Sequence, residues 1–276
     1  MIAVTGANGQ LGRAVVEECE NRGISYRAFN RADLDVTNSK LVKETFANQS
    51  FDCIVHCAAY TAVDAAEDQP QEAFAANACA PWYLASTGVP ILSVSTDYVF
   101  DGNAVTPYET DAPTRPLSIY GLSKRAGEVT LLEGGFHGAI VRTAWVYSKR
   151  EGTKNFFHTM CRLAQERSQI KVVNDQFGAP TLAEDLAAAL ITLYEKGDHR
   201  QPMHVLHFTN AGVCSWFDFA TEIVRIANSN CAVLPIPTSS YPTKAKRPAY
   251  SVLSLRSLES YGIVPRHWKE ALFSSL

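Results

Sequence analysis

The stretch Gly6-Ala7-Asn8-Gly9-Gln10-Leu11-Gly12 decides the fold. It directly follows the apolar run 2–5 and opens a segment with helical periodicity, residues 11–19. Three glycines at this spacing arise by chance only roughly 0.05 times in a chain of this composition, before a strand in front and a helix behind are required. Glycines let the backbone turn tightly and approach a phosphate, and the N–H groups of a helix N-terminus attract its charge. The pattern predicts a dinucleotide-binding loop; a glycine-rich turn without a ligand is the alternative.

Short apolar runs alternate with helical stretches through the first half of the chain. The predicted strands are 2–5, 25–29, 53–57, 91–95 and 139–142, and helical periodicity marks 11–19 and 41–47. Alternation of strands and helices predicts a parallel sheet with helices on both faces, so its strands should be apolar throughout. The predicted fold class is α/β, a Rossmann-like doubly wound parallel sheet, with an NAD(P)-binding domain over residues 1–148.

The pattern changes after about residue 148. Helices are predicted at 155–167, 183–195 and 216–227 and a strand at 170–173, followed by a proline-punctuated stretch, 235–248. These segments predict a smaller α/β substrate-binding cap domain over residues 149–276, with return segments to the first domain from about 182–210. Ligands of open α/β sheets bind beyond the carboxyl ends of the strands, so such a cap would close over the site.

Composition excludes several function classes. The chain has 25 basic and 28 acidic residues and a formal charge of −3, which does not provide the basic face that nucleic acids require. Its longest apolar stretch, 186–194, is far shorter than the roughly 20 residues that cross a bilayer. A first strand beginning at Ile2 leaves no room for a signal peptide, so a cytoplasmic location is expected.

The seven cysteines are an odd number without the two-residue spacing of zinc or redox motifs, and we interpret them as reduced. Cys53, His56 and Cys57 resemble metal ligands, but Cys-Ile-Val-His-Cys is also typical of a buried strand, which we favour. No metal site is predicted, and a requirement for Mg²⁺ is not readable from the sequence.

The end of the second strand bears on coenzyme choice. Many dinucleotide folds place an acidic residue there to bind the adenosine ribose, whereas this chain has Asn30-Arg31. Asn30 does not repel a 2′-phosphate, and the Arg31 guanidinium could pair with one. We therefore expect NADPH to be used at least as well as NADH, although Arg31 could equally be a solvated residue at a strand end.

A second constellation provides the chemistry. Tyr120 and Lys124 are four residues apart, on one face if the segment is helical. This spacing alone is weak, because roughly 0.4 such pairs arise by chance. Thr96 and Asp97, however, follow the strand at 91–95 and place polar groups at the carboxyl edge of the sheet. A nearby lysine lowers the pKa of a phenol, so these residues predict a carbonyl-reducing site.

The chain resembles the extended short-chain dehydrogenase/reductase family nearly end to end, and within it the dTDP-4-dehydrorhamnose reductases. The glycine loop and the Tyr/Lys pair are common to the whole superfamily. The narrower matches are Thr-Asp-Tyr-Val-Phe at 96–100, Asp-Gln-Phe-Gly-Ala-Pro-Thr at 175–181 and Arg-Pro at 247–248. The family implies NAD(P)H-dependent reduction of the C4 ketone of dTDP-4-dehydro-β-L-rhamnose to dTDP-L-rhamnose, for cell-surface polysaccharide synthesis. Asn30, and Val94 in place of an aromatic residue, depart from some relatives.

Residue roles follow from the resemblance together with the motifs. Thr96, Tyr120 and Lys124 are the expected catalytic residues, and Thr96, Asp97, Trp145 and Arg247 are expected to bind the nucleotide sugar. A homodimer is compatible with the sequence, which leaves the oligomeric state open. The expected coenzyme-binding residues are Gly6, Gly9, Gln10, Leu11, Gly12, Asn30, Arg31, Asp35, Val36, Ala58, Ala59, Tyr60, Thr61, Tyr120 and Lys124.

Each role has a simpler alternative. Thr61 and Asp64 have the spacing of a helix capping box, which we expect in addition to a coenzyme contact. Trp145 could be plain core, although a large flat ring suits the face of a sugar. Arg247, with Lys244 and Lys246, suits a diphosphate but could be solvated charge. His204 and His207 are expected to be strand residues without a chemical role.

Two other functions remain open. A nucleotide-sugar dehydratase or epimerase of the same superfamily is the nearest, but dehydratases carry Glu where this chain has Tyr98, because eliminating water needs a further acid/base group. The other is a non-catalytic NADP-binding regulatory subunit. The presence of Thr96, Tyr120 and Lys124 argues against that alternative.

Overall fold

The computed structural model describes residues 1–47 and 49–274; Asn48, Ser275 and Leu276, which fall inside the predicted domains, lie outside the description. The described strands are β1 (Ile2–Thr5), β2 (Tyr26–Phe29), β3 (Cys53–His56), β4 (Ile91–Thr96), β5 (Gly138–Thr143), β6 (Val146–Tyr147), β7 (Gln169–Val173), β8 (Phe177–Gly178), β9 (Thr181–Leu182), β10 (His204–His207), β11 (Cys214–Ser215) and β12 (Ala232–Ile236). The helices are α1 (Gln10–Asn21), α2 (Ser39–Ala47), α3 (Val63–Ala66), α4 (Pro70–Phe74), α5 (Ala80–Ala85), α6 (Ile119–Glu133), α7 (Phe156–Glu166), α8 (Ala183–Glu195), α9 (Trp216–Ile226) and α10 (Trp268–Phe273).

The centre of the fold is a parallel sheet in the order β10-β5-β4-β3-β1-β2. The chain winds outward from β1 to β2 in one direction and from β3 to β10 in the other, so the order reverses between β1 and β3. In doubly wound sheets the ligand crevice lies at such a switch point, beyond the carboxyl ends of the strands. The predicted α/β fold class is confirmed.

One expectation about the sheet was wrong. β1, β3 and β5 are buried along their whole length, as predicted for strands covered on both faces. β2 instead exposes Arg27 and Ala28. Since β2 is an edge strand, helices do not enclose it on both faces, and its sequence need not be apolar.

The second half of the chain builds a separate apolar cluster. Tyr147, Phe157, Met160, Phe219 and Trp268 pack together there, apart from the clusters on the central sheet. The segment 183–207 returns to the sheet, where α8 packs against α1 and β10 pairs with β5. The proposed division at about residue 148, with return segments from about 182–210, stays a prediction.

Tyr120 and Lys124 both lie in helix α6, so their spacing of four residues places them on one face of a helix, as predicted. The hydroxyl of Ser118 accepts a hydrogen bond from Gly121 N at 3.2 Å and caps the helix. At Gly121 an added Cβ would lie only 2.3 Å from the carbonyl oxygen of Tyr98. Glycine therefore lets α6 approach the turn that follows β4.

The segment between β3 and β4 is helical, of which the sequence predicted only a helix start at Thr61 and Asp64. α3, α4 and α5 lie there, and a π-helical segment, Ala75–Cys79, joins the last two. Cys53 and His56 belong to β3, so the interpretation of this stretch as a strand is confirmed. Within the described residues, no helix is both long and apolar enough to cross a membrane.

Candidate active site

The glycine loop joins β1 to α1 at the switch point of the sheet. Gly6 has φ +68°, and a Cβ there would lie 2.6 Å from the backbone nitrogen of Ala58. A Cβ on Gly12 would lie 2.2 Å from the carbonyl oxygen of Gly6. Gly9 caps α1 without any side-chain bond to the first N–H groups of the helix. The loop therefore offers a bare helix N-terminus, which fits a pyrophosphate.

The loop after β3 is fixed by a residue that sequence reasoning missed. Asn77, in the π-helical segment and 2% exposed, accepts from Tyr60 N at 2.9 Å and donates to Tyr60 O at 3.0 Å. Its amide also donates to the hydroxyl of Ser123 on α6 at 3.0 Å. Asn77 thus joins the predicted coenzyme loop 58–61 to α6. π-Helical segments often mark functional sites, and a buried asparagine in a helical stretch was the available signal.

The residues at the end of β2 form a compact polar turn. The Asn30 side chain accepts from Ala32 N at 2.8 Å and from Asp33 N at 3.2 Å. Asp35 accepts from the Thr37 hydroxyl at 2.7 Å, which holds the pKa of Asp35 below its usual range. Arg31 is exposed. Ala7 N donates to Phe29 O at 3.1 Å, so this turn lies beside the glycine loop.

Thr96 and Tyr120 come together from β4 and α6. The Thr96 hydroxyl accepts from Tyr98 N at 3.2 Å, which caps the turn 97–99, and donates to Asp97 Oδ1 at 3.1 Å. A side-chain hydrogen bond with Thr96 lowers the pKa of Tyr120, but burial acts more strongly and raises this pKa to about 12. The Tyr120 phenol is therefore protonated at neutral pH.

Lys124 is buried one turn further along α6. Its Nζ donates to Val94 O at 2.6 Å, and burial lowers its pKa to about 8 despite the opposing influence of Glu128. Its charge also lowers the pKa of His56 in β3 and opposes the raised pKa of Cys57, the next residue. We expected Lys124 to lower the pKa of Tyr120, but Lys124 is not among the groups that shift this pKa, which burial raises.

A buried ion pair holds α6 against the sheet beneath these groups. Glu128 and Arg142, whose side chains are 1% and 3% exposed, form two N–O contacts of 2.8 Å. Ser95, which precedes Thr96, donates to Glu128 at 2.6 Å. Because Tyr120, Lys124 and Glu128 are spaced four residues apart, one face of α6 carries both the anchor and the reactive groups.

Asp97 is a buried carboxyl group at the same strand end. Burial raises its pKa to about 6, although hydrogen bonds from Ser251 and Thr96 oppose this shift. Its Oδ2 atom is buried and has no hydrogen-bond partner in the described residues. An unpartnered buried oxygen beside Thr96 suits a donor group on a substrate, such as a sugar hydroxyl.

Arg247 is paired with a carboxylate. Its guanidinium donates to both oxygens of Asp64, at 3.2 and 2.7 Å, and Asp64 also accepts from Ala245 N at 3.0 Å. Lys244 contacts Asp68, and Lys246 is exposed. The expected capping box of Thr61 and Asp64 was wrong: Ala62 caps α3 without a side-chain bond, because Asp64 binds Arg247 instead.

Gln10 contacts the second half of the chain through its side chain. Its Nε2 donates to Val146 O at 2.9 Å, and its Oε1 accepts from Asn155 at 3.1 Å. A role for Gln10 in coenzyme binding therefore rests on its backbone N–H at the start of α1. The bond to Val146 ties the glycine loop to the residue after Trp145, whose indole stacks on Trp216.

His56, His204 and His207 lie on strands of the central sheet. His56 Nδ1 lies 2.7 Å from the Thr5 hydroxyl, and burial lowers the pKa of His56 to about 3. His204 and His207 lie in β10, as expected. Among the described residues, no group of three or more His, Cys, Asp or Glu side chains is arranged to hold a metal ion.

Comparisons with known proteins agree with this geometry. The model of the family described as RmlD substrate binding domain matches residues 1–276. The spore coat polysaccharide biosynthesis protein SpsK of Bacillus subtilis (strain 168) is 39% identical over 275 residues, covering 98% of this chain and 95% of the relative. A dTDP-4-dehydrorhamnose reductase of Streptomyces griseus is 40% identical over 280 residues, covering 99% and 91%. The crystal structure of dTDP-4-dehydrorhamnose reductase from Bacillus anthracis str. Ames in complex with NADP superposes with a TM-score of 0.89 at 37% identity, covering 98% and 96%.

The raised pKa of Asp97 predicts a pH-dependent stability difference. Folded Asp97 binds its proton up to about pH 6, whereas the unfolded carboxyl loses it near pH 3.8. The unfolding free energy of the wild type, relative to that of Asp97→Asn, should therefore fall by on the order of 2 to 3 kcal/mol between pH 4 and pH 7. Urea unfolding across this range measures it.

Asp101→Asn is the matched control with the opposite sign. A hydrogen bond from Asn103 N at 3.2 Å holds the pKa of Asp101 below its usual range, so the stability advantage of the wild type over that variant should change little between pH 4 and pH 7 and be lost as the pH falls below about 4. If the difference in unfolding free energy between the wild type and Asp97→Asn stays constant from pH 4 to pH 7, the raised pKa of Asp97 is contradicted.

Proposed function

The chain belongs to the RmlD substrate-binding-domain family, and from this membership and the site geometry we propose that it is an NAD(P)H-dependent reductase. Its reaction converts the C4 ketone of dTDP-4-dehydro-β-L-rhamnose into the alcohol of dTDP-L-rhamnose, for cell-surface polysaccharide synthesis. The observation that carries the proposal is the packing of α6, which holds Tyr120 and Lys124, against the end of β4, which holds Thr96: Lys124 Nζ donates to Val94 O at 2.6 Å. Similarity to proteins that bear the reductase name supports it further.

Tyr120, Thr96 and Lys124 each have a separate role in the proposed carbonyl reduction. Bound NAD(P)H would supply the hydride that attacks C4. The Tyr120 phenol, protonated because burial raises its pKa to about 12, gives a proton to the developing alkoxide. The Thr96 hydroxyl turns from Asp97 to the same oxygen and stabilises its charge. The Lys124 ammonium would hold the nicotinamide ribose and add positive charge near the alkoxide.

Nucleotide-sugar binding is assigned to side chains around this centre. Asp97 has an unpartnered oxygen for a sugar hydroxyl, and Trp145 stacks on Trp216, in the second half of the chain. Arg247 retains N–H groups beyond its bonds to Asp64 and suits the diphosphate. These assignments rest on the family motifs and on the positions described above.

Tyr98 favours reduction over dehydration. It occupies the position where dehydratases carry a glutamate, and burial raises its pKa well above its usual range. Its ring packs edge-on against Tyr120 with centroids 5.5 Å apart. A phenol that keeps its proton is a poor base, so this position does not provide the second acid/base group that elimination of water needs.

The coenzyme is proposed to be NADPH at least as readily as NADH. Arg31 is exposed next to the turn of Asn30, which carries no charge to repel a 2′-phosphate. The cytoplasmic location, the homodimer and the lack of nucleic-acid partners remain predictions.

Replacing Tyr120 tests the reaction directly. Tyr120→Phe removes the proton donor and should lower kcat by about a hundredfold or more, while the affinity for NADPH changes less than about twofold. The assay follows the nicotinamide absorbance after mixing the protein, NADPH and the 4-keto sugar nucleotide.

Tyr83→Phe is the control, because it makes the same change on α5, away from the site. An unchanged rate in Tyr120→Phe would remove Tyr120 from the proposed role. A wild-type protein that binds NADPH tightly and never oxidises it with this sugar would instead be a regulatory subunit.

Replacing Arg31 tests the coenzyme proposal. Arg31→Ala should raise the KM for NADPH roughly fivefold to tenfold, about 1 kcal/mol, and leave the KM for NADH unchanged, because only NADPH has a 2′-phosphate. Arg162→Ala, at an exposed position on α7, is the control. A wild-type preference for NADH of about tenfold or more would refute the proposal.

A further inference from the structure

Trp145 has an unfavourable backbone conformation at the edge of the site. Its φ is +48°, in the left-handed region that bulky residues rarely adopt. Its carbonyl oxygen accepts from Thr181 N at 3.3 Å, and the next residues, β6, pair with β9. Strained backbone conformations persist where surrounding contacts fix them, often at functional sites. The contacts of the Trp145 indole therefore show which residues fix this conformation.

One face of the indole is covered by Trp216. The two rings are parallel within 12° and their centroids are 3.6 Å apart. Trp216 is itself fixed, since Phe156 packs on it at 4.6 Å and the capping box of Ser215 and Asp218 sets the start of α9. Trp145 can therefore offer at most one face of its ring to a sugar.

Gly178 lies against the same indole. A Cβ on Gly178 would be 2.7 Å from Cε2 and Cζ2 of Trp145 and 3.0 Å from its Nε1. Such distances leave no room for a methyl group unless the indole moves. Gly178 also pairs with Cys214 in the β8–β11 ladder, two residues before Trp216. The two contacts on Trp145 thus belong to one small, hydrogen-bonded unit.

The same unit holds other substrate-facing residues. Phe177 N donates to Ala249 O, and Phe177 O accepts from Ser251 N, both at 2.8 Å. Ser251 in turn lies near the carboxyl group of Asp97, whose pKa it lowers. Residues 177 and 178 therefore connect Trp145, the loop that follows Arg247, and Asp97.

We propose that Gly178 and Trp216 form an indole clamp that sets the orientation of Trp145 against the nucleotide sugar. Gly178 and Trp216 are then positioning residues, which act on substrate binding through Trp145. The identity of the substrate in this proposal rests on the proposed function. The stacking of Trp145 on Trp216 can be measured without any substrate.

A double-mutant cycle tests the clamp. Gly178→Ala should raise the KM for the 4-keto sugar nucleotide about tenfold and leave the KM for NADPH within about twofold of the wild type. In a Trp145→Ala background the same substitution should change the sugar KM less than about twofold, because the residue it displaces is gone. An effect of equal size in both backgrounds would overturn the proposal.

A second pair of variants covers the case in which Gly178→Ala does not fold. Trp216→Ala should raise the sugar KM and abolish the exciton couplet that stacked indoles give in circular dichroism, whereas Trp216→Phe should keep the sugar KM close to that of the wild type. Trp82→Ala removes a partly exposed indole elsewhere and should leave both the couplet and the KM unchanged. A couplet that survives Trp216→Ala contradicts the clamp.

Failure of the clamp and failure of the reductase proposal give different results. A wild type that does not reduce the 4-keto sugar refutes the reductase, while the couplet and its loss in Trp216→Ala still report the clamp. Normal turnover with additive effects of Gly178→Ala and Trp145→Ala refutes the clamp alone.

Discussion

The buried ion pair between Glu128 and Arg142 is the constraint on which the site depends. Removing two charges from water is costly and is offset only when both are fully hydrogen-bonded. Here Glu128 receives two bonds from Arg142 and one from the hydroxyl of Ser95, and Arg142 also donates to Thr110 O at 3.0 Å. Apolar contacts could hold α6 on the sheet in several registers, whereas this pairing selects one. It places Tyr120 beside Thr96, the residue after Ser95.

Burial decides the protonation states of the reactive groups. The sequence suggested that Lys124 would lower the pKa of Tyr120, but the phenol is desolvated and its pKa is raised to about 12, while that of Lys124 is lowered to about 8. A tyrosine that keeps its proton suits a reaction that ends with protonation of an alkoxide. The same desolvation raises the pKa of Asp97 to about 6. The environment therefore favours reduction of a ketone over abstraction of a proton.

Residue spacing and hydrophobic periodicity predicted the elements that depend mainly on neighbouring residues in the sequence. The glycine loop, the ends of β1 and β3 and the bounds of α8 follow from spacing and periodicity, and the structure agrees with them closely. Partners distant in sequence were not predictable: Asp64 binds Arg247, and Asn77 binds Tyr60 from a π-helical segment. The exposure of β2 depends on its edge position, and the role of Gly178 on an indole 33 positions earlier. Such features depend on which elements the topology brings together, and a single sequence does not reveal this.

The central claim is that this site delivers a hydride to a ketone carbon and a proton to its oxygen. The most direct measurement uses NADPH deuterated at the transferable position, with the 4-keto sugar nucleotide, and analyses both coenzyme and product. The account predicts one coenzyme oxidised per sugar, with deuterium at C4 of the product. Turnover of the sugar without net oxidation of the coenzyme, as in a dehydratase or epimerase that recycles its nicotinamide, would contradict it.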